Sequence, residues 1–88
     1  MGYIVNVGYG NMVNAVKVVS IIKPDAAPVK RMIQHAKDVG GAVDATCGRK
    51  TKSVIVTEND MIVLSALLPE TIAQRINNNS GIRGDLND

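Results

Sequence analysis

Residues 44–56 read "DATCGRKTKSVIV": two β-rich stretches held apart by Gly48, with Arg49, Lys50 and Lys52 crowded beside it. Short runs rich in Val, Ile and Thr around a glycine predict a hairpin, with strands over 42–47 and 52–57. A hairpin tip needs only a turn former, and Gly48 suffices. The three cations are surplus to folding. On this reading Cys47 shares a strand face with Val43 and Ala45, which makes it a small core residue and not a nucleophile.

Working outward, "ENDM" (58–61) predicts a turn and "MIVLSAL" (61–67) a further strand. Pro69 and Glu70 suit the first turn of a short C-terminal helix, about 69–77, with Ile72, Ala73 and Ile76 facing inward. Residues 80–88 read as a flexible, polar tail. Upstream, "YIVNV" (3–7) predicts a strand and "GYGN" (8–11) a turn. Residues 12–22 form one long bent strand or two short ones. A helix follows over about 25–39, with Asp25 as N-cap and Pro28 in its first turn. Its apolar stripe is Ala26, Val29, Met32, Ile33, Ala36 and Val39, and Gly40-Gly41 ends it. The chain is therefore expected to be one α+β domain over 1–79, built on a small, mainly antiparallel sheet. Residues 54–56 and 61–68 are apolar on both faces, and two short helices easily cover only one. The uncovered face predicts contact with another copy of the chain.

The composition excludes several functions. With 88 residues, 45% of them hydrophobic, there is room for one modest core, and with neither Phe nor Trp that core is aliphatic. No apolar run reaches the roughly 18 residues of a membrane span. The single cysteine and the lack of a visible secretory signal predict a cytoplasmic protein. His35, the one histidine, falls beside Arg31 and Asp38 on the polar side of the central helix, where a solvated role outweighs general-base chemistry. The carboxylates outside the tail sit at caps, turns and surface positions without catalytic spacing, and one Cys with one His makes no zinc site. "VGYGNMVN" lacks the third glycine and the helix of a dinucleotide loop, so its glycines serve a turn. The expectation is a protein that is not an enzyme and has no cofactor, metal or small-molecule ligand.

The basic segment remains. Lysines on a solvent-facing turn can simply protect an edge from aggregation. Here they are concentrated at one turn, and Thr46, Thr51 and Ser53 beside them carry hydroxyls that can donate to phosphate oxygens. Oligomerisation would repeat the cluster and multiply counterion release, roughly 0.9 units of salt slope per neutralised phosphate. Two tyrosines are the only aromatics, which disfavours a single-strand stacking platform. Double-stranded DNA is the expected partner, with Arg49 and Lys50 as principal contacts and Lys52 in support. The alternative is an oligomeric scaffold whose basic rim meets RNA or an acidic protein.

Four segments, "GYGNMV", "KPDAAPVKRMIQHAKDVGG", "DATCGRKTKSVIV" and "VLSALLPETIAQRI", together resemble the bacterial extracellular matrix regulatory protein RemA family, in order over residues 3–76. The resemblance implies a nucleoid-associated, DNA-binding transcriptional regulator of matrix (biofilm) genes. It also implies a ring of identical subunits with basic residues on its outside, each subunit partly like a LytTR-type DNA-binding module. The family's basic turn is typically Tyr-Gly-Arg-Arg-Thr-Arg; here Cys47, Gly48, Arg49, Lys50, Thr51 and Lys52 take those places. The family also uses an arginine before the first helix, and Lys17 occupies that place. Lysine keeps the charge but loses the planar fork that reads a guanine edge, so base readout suffers more than affinity.

Overall fold

The computed structural model describes residues 4–84, and side chains as far as Asn78. Two short strands, β1 (Ile4–Asn6) and β2 (Met12–Asn14), pair antiparallel around the turn at Gly8–Asn11. Asn14 then accepts a hydrogen bond from the Val16 amide and caps a single 3₁₀ turn, Ala15–Lys17. β3 (Val18–Ile22) follows, so residues 12–22 form two strands with a tight turn between them.

Helix α1 (Ala27–Asp38) forms as its spacing predicts, with Pro28 in the first turn. Asp25 does not cap it: the N-cap is Ala26, and no side chain satisfies the first amides. At the other end the Gly41 amide donates to the Ala36 carbonyl (2.7 Å) and the Gly40 amide to that of Lys37 (3.3 Å). This is a Schellman closure, with Gly40 at the left-handed position (φ 78°). The inward stripe is narrower than the spacing suggests. Ala36 is buried and Val29, Met32 and Ile33 are half-buried, while Ala26 and Val39 are exposed because they lie at the two caps.

The remaining strands are β4 (Ala42–Asp44), β5 (Ser53–Thr57) and β6 (Ile62–Ser65), and the last described element is α2 (Pro69–Gly84), which continues past residue 77 into the expected tail, whose residues 85–88 lie outside the described ones. The four-stranded sheet has the order β3-β5-β6-β4. β5 and β6 form a hairpin whose turn places Asp60 in the left-handed region (φ 62°). β4 pairs with β6, in parallel, and never with β5. The expected hairpin across the basic segment is therefore absent. Residues 45–52 instead arch over the end of β6: the Ala45 amide donates to the Leu64 carbonyl and the Lys52 amide to that of Ser65, both at 2.8 Å. The sheets are accordingly mixed, with three antiparallel ladders and one parallel.

Both faces of the four-stranded sheet are covered within the one chain. Val54, Ile62 and Leu64 pack against Ala36 of α1. Ile55 and Val63 turn the other way, into a cluster with Val7, Ala45 and Ile72 of α2. The small β1–β2 sheet joins α2 in closing that second face, so the two-faced apolar pattern of β5 and β6 is satisfied without a second subunit. Two hydroxyls tie the layers together. Ser65 Oγ donates to the Val7 carbonyl (2.7 Å) and accepts from the Leu67 amide (3.0 Å). Ser53 Oγ donates to the Leu67 carbonyl (2.5 Å).

Candidate nucleic-acid interface

The arch over β6 begins with a turn in which the Arg49 amide donates to the Thr46 carbonyl (3.0 Å). Its central residues, Cys47 and Gly48, both have positive φ (56° and 80°). A tight turn of that kind normally ends a hairpin, which is why the local sequence reads as one. Cys47 consequently lies exposed at the turn and not in a core. Asp44 anchors the entry: one carboxylate oxygen accepts from the Thr46 hydroxyl (2.6 Å) and from the Thr46 amide (2.9 Å). These two bonds, helped by the charge of Lys37, hold the Asp44 carboxyl below its ordinary pKa. Thr46 is therefore buried and committed to Asp44, and Ser53 to Leu67. Neither hydroxyl faces a phosphate, contrary to expectation; Thr51 alone of the three stays partly open.

Beyond the turn the cations spread around two adjoining clefts. One, of about 270 Å³, is lined by Lys23, Lys50, Thr51 and Lys52, with Asp25 and Pro69 on its wall. The other, of about 260 Å³, is lined by Tyr9, Arg49, Lys50, Lys52 and Ala66. Lys50 and Lys52 border both, so four cations make one continuous surface. Lys23 was not read from the sequence. It follows Ile22, whose register partner is Val54, so the sheet delivers it to the start of β5 and thus beside Lys52. Its sequence neighbours give no hint of this. Tyr9 was likewise missed: the Arg49 guanidinium lies 5.7 Å from its ring centroid, over its face.

Lys17 is placed elsewhere. It precedes Val18, which pairs with Thr57, at the other end of β3 from Lys23. Six residue steps at about 3.3 Å each put it roughly 20 Å from the arch. Its ammonium is 3.4 Å from Glu58 Oε1, both side chains being at least half in solvent. Among the described residues, Lys23, Arg49, Lys50 and Lys52 form no ion pair. Nor do the described residues contain a His/Cys/Asp/Glu group fit for a metal, or a helix long and apolar enough to cross a membrane.

The sequence of this chain has counterparts among known proteins. The family model described as RemA-like, extracellular matrix regulatory protein A-like, matches residues 4–76. A "Putative regulatory protein" of Lachnoclostridium phytofermentans is 60% identical over 85 residues, covering 97% of this chain and 93% of that one. A protein from a Thermoanaerobacter species, likewise named a putative regulatory protein, is 49% identical over 82 residues, 93% of this chain and 85% of its own. One from Brevibacillus brevis is 52% identical over 73 residues, 83% and 85% respectively. The matched span runs from β1 to the middle of α2 and includes the whole basic arch, and on that footing the chain belongs to the RemA-like family.

Proposed function

We propose that the chain is a non-enzymatic transcriptional regulator that grips duplex DNA with Arg49, Lys50 and Lys52, and acts at the nucleoid on extracellular-matrix (biofilm) genes. The observation that carries this reading is the arch over β6. Arg49, Lys50 and Lys52 are exposed there, Lys23 joins them from β3, and Asp25 is the single carboxylate on the walls of the two clefts. Guanidinium and ammonium groups in such an array neutralise backbone phosphates and release counterions. Family membership and the names of the relatives support the regulatory role. Lys17 is a supporting contact at a separate point, about half a helical turn of B-DNA away. It first has to give up Glu58.

A ring of identical subunits would repeat this surface. Support comes from apolar side chains left open at both edges of the sheet. Val16 and Val19 lie at the β3 edge, and Val39, Val43 and Met61 lie near the β4 edge. Ile4 and Met12 are exposed on β1–β2. Two different patches on opposite edges suit a head-to-tail contact, the kind that closes into rings.

The test is Arg49→Ala and Lys50→Ala, assayed on duplex DNA over a range of salt. Affinity is expected to fall while the thermal midpoint and particle size hold, because exposed substitutions usually move stability by less than ~0.5 kcal/mol. The slope of log affinity against log salt is expected to flatten by about one unit per lost phosphate contact. Unchanged binding in both variants overturns the site. Tighter binding of single-stranded RNA than of duplex DNA by the parent replaces the function with an RNA-binding one.

A further inference from the structure

We infer that Tyr9 is a positioning residue for Arg49, an aromatic rest that aims the guanidinium at the nucleic acid; this builds on the reading of the arch as a duplex-DNA contact. Tyr9 does little for the fold. Its side chain is 51% exposed and belongs to neither core cluster. Its backbone argues against a side chain at all, since φ is 54°, between Gly8 at 115° and Gly10 at 79°. A residue with a Cβ is disfavoured in that left-handed region, most of all a bulky one, and glycine would sit there more easily. Strain of this sort persists where a side chain is needed for something other than folding.

The turn that carries the ring is firmly held. The Val7 amide donates to the Asn11 carbonyl (2.8 Å) and the Asn11 amide to that of Gly8 (3.0 Å). The Gly8 amide donates to Asn6 Oδ1 (2.7 Å), and the Asn11 side-chain amide donates to the Gly8 carbonyl (2.9 Å). Ser65 ties Val7 to the end of β6, the strand end that the basic arch crosses. Ring and guanidinium thus stand on two turns joined through the same strand end. A guanidinium on an aromatic face keeps its edge N–H groups free, so the contact restricts Arg49 without using the donors that a phosphate or base edge would take. Lys50 and Lys52 border the same cleft, and Tyr9 is its one aromatic wall.

Tyr9→Phe, Tyr9→Asn, Arg49→Ala and the Tyr9→Asn/Arg49→Ala double variant separate this role from a direct contact. Asn removes the ring yet tolerates positive φ. Tyr9→Phe is expected to bind duplex DNA within about twofold of the parent. Tyr9→Asn is expected to bind about three- to tenfold more weakly with an unchanged salt slope, since no charge is lost. In the Arg49→Ala background, Tyr9→Asn should cost nothing further. An equal loss with and without Arg49, no loss at all, or a Tyr9→Phe loss as large as that of Tyr9→Asn overturns the inference. A second readout needs no DNA: Arg49 side-chain protons should show an upfield ring-current shift in the parent and in Tyr9→Phe that vanishes in Tyr9→Asn. Should the parent fail to bind duplex DNA, the ligand assignment falls, and this shift alone upholds or overturns the Tyr9–Arg49 pairing.

Discussion

Asp44 shows how much one side chain can do at the mouth of a loop. By accepting both the hydroxyl and the amide of Thr46, it fixes the turn from which Arg49 departs. Those bonds form only to the ionised carboxylate at full strength, so the folded state binds the proton less readily than the unfolded chain does. The resulting stability is present above the ordinary aspartate pKa of about 3.9 and is lost as pH falls through the lowered folded value. An NMR titration should place the Asp44 midpoint below the normal aspartate range, and Thr46→Val should return it toward that range. Thr46→Val should also cost about 1 kcal/mol near neutrality, from the lost hydroxyl bond. If the Asp44 midpoint does not move in the variant, the hydroxyl is not what lowers it. At this scale the sequence misleads in an instructive way. β-Propensity places Thr46, Cys47 and Ser53 alike in strands, but Thr46 and Cys47 lie in a turn held by Asp44 and Arg49, and only Ser53, bonded to Leu67, sits in one.

At the scale of elements, legibility follows locality. Helix α1 could be read from its own residues because spacing, Pro28 and the Gly40-Gly41 closure are all local signals. Strand existence was also legible, since β5 and β6 are short apolar runs. Strand pairing was not: nothing within residues 42–57 reveals that β6 slots between β4 and β5. The same blindness hid Lys23 and Tyr9, which reach the basic arch only through the sheet. Packing offers a direct check on the helices. Ile72 of α2 is fully buried beside Ile55, Val63 and Val7, whereas Val39, also on the apparent stripe of α1, is 65% exposed. Ile72→Ala should cost about 2–5 kcal/mol in chemical denaturation and Val39→Ala less than ~0.5. Comparable losses at the two positions would contradict the burial described.

For the molecule as a whole, the coverage of both sheet faces changes what an assembly would be for. The apolar pattern of β5 and β6 is met internally by α1 on one side and by α2 with β1–β2 on the other. A subunit is thus complete in its core, and the proposed ring would rest on the smaller patches at the sheet edges. Light scattering at micromolar concentration should report a particle several times the 9.4 kDa of one chain. Val19→Lys or Val43→Lys should reduce it to a folded monomer with near-parental circular dichroism. A particle that remains intact in both variants would place the contact elsewhere. A parent that is monomeric throughout would remove the ring and leave each site to bind alone.

The strand order also sets a clock. Val43 pairs with Val63, about twenty residues later in the chain, and β4 has no other strand neighbour. During synthesis at about 5–20 residues per second, β4 leaves the ribosome roughly one to four seconds before its template exists. β5 emerges in the interval, yet it cannot serve, since its two edges belong to β3 and β6. Only once β6 has emerged does β4 gain an edge to lie along. Until that moment the basic arch is a slack tether between two unjoined pieces, and the array of Arg49, Lys50 and Lys52 takes its shape only with the docking of β4.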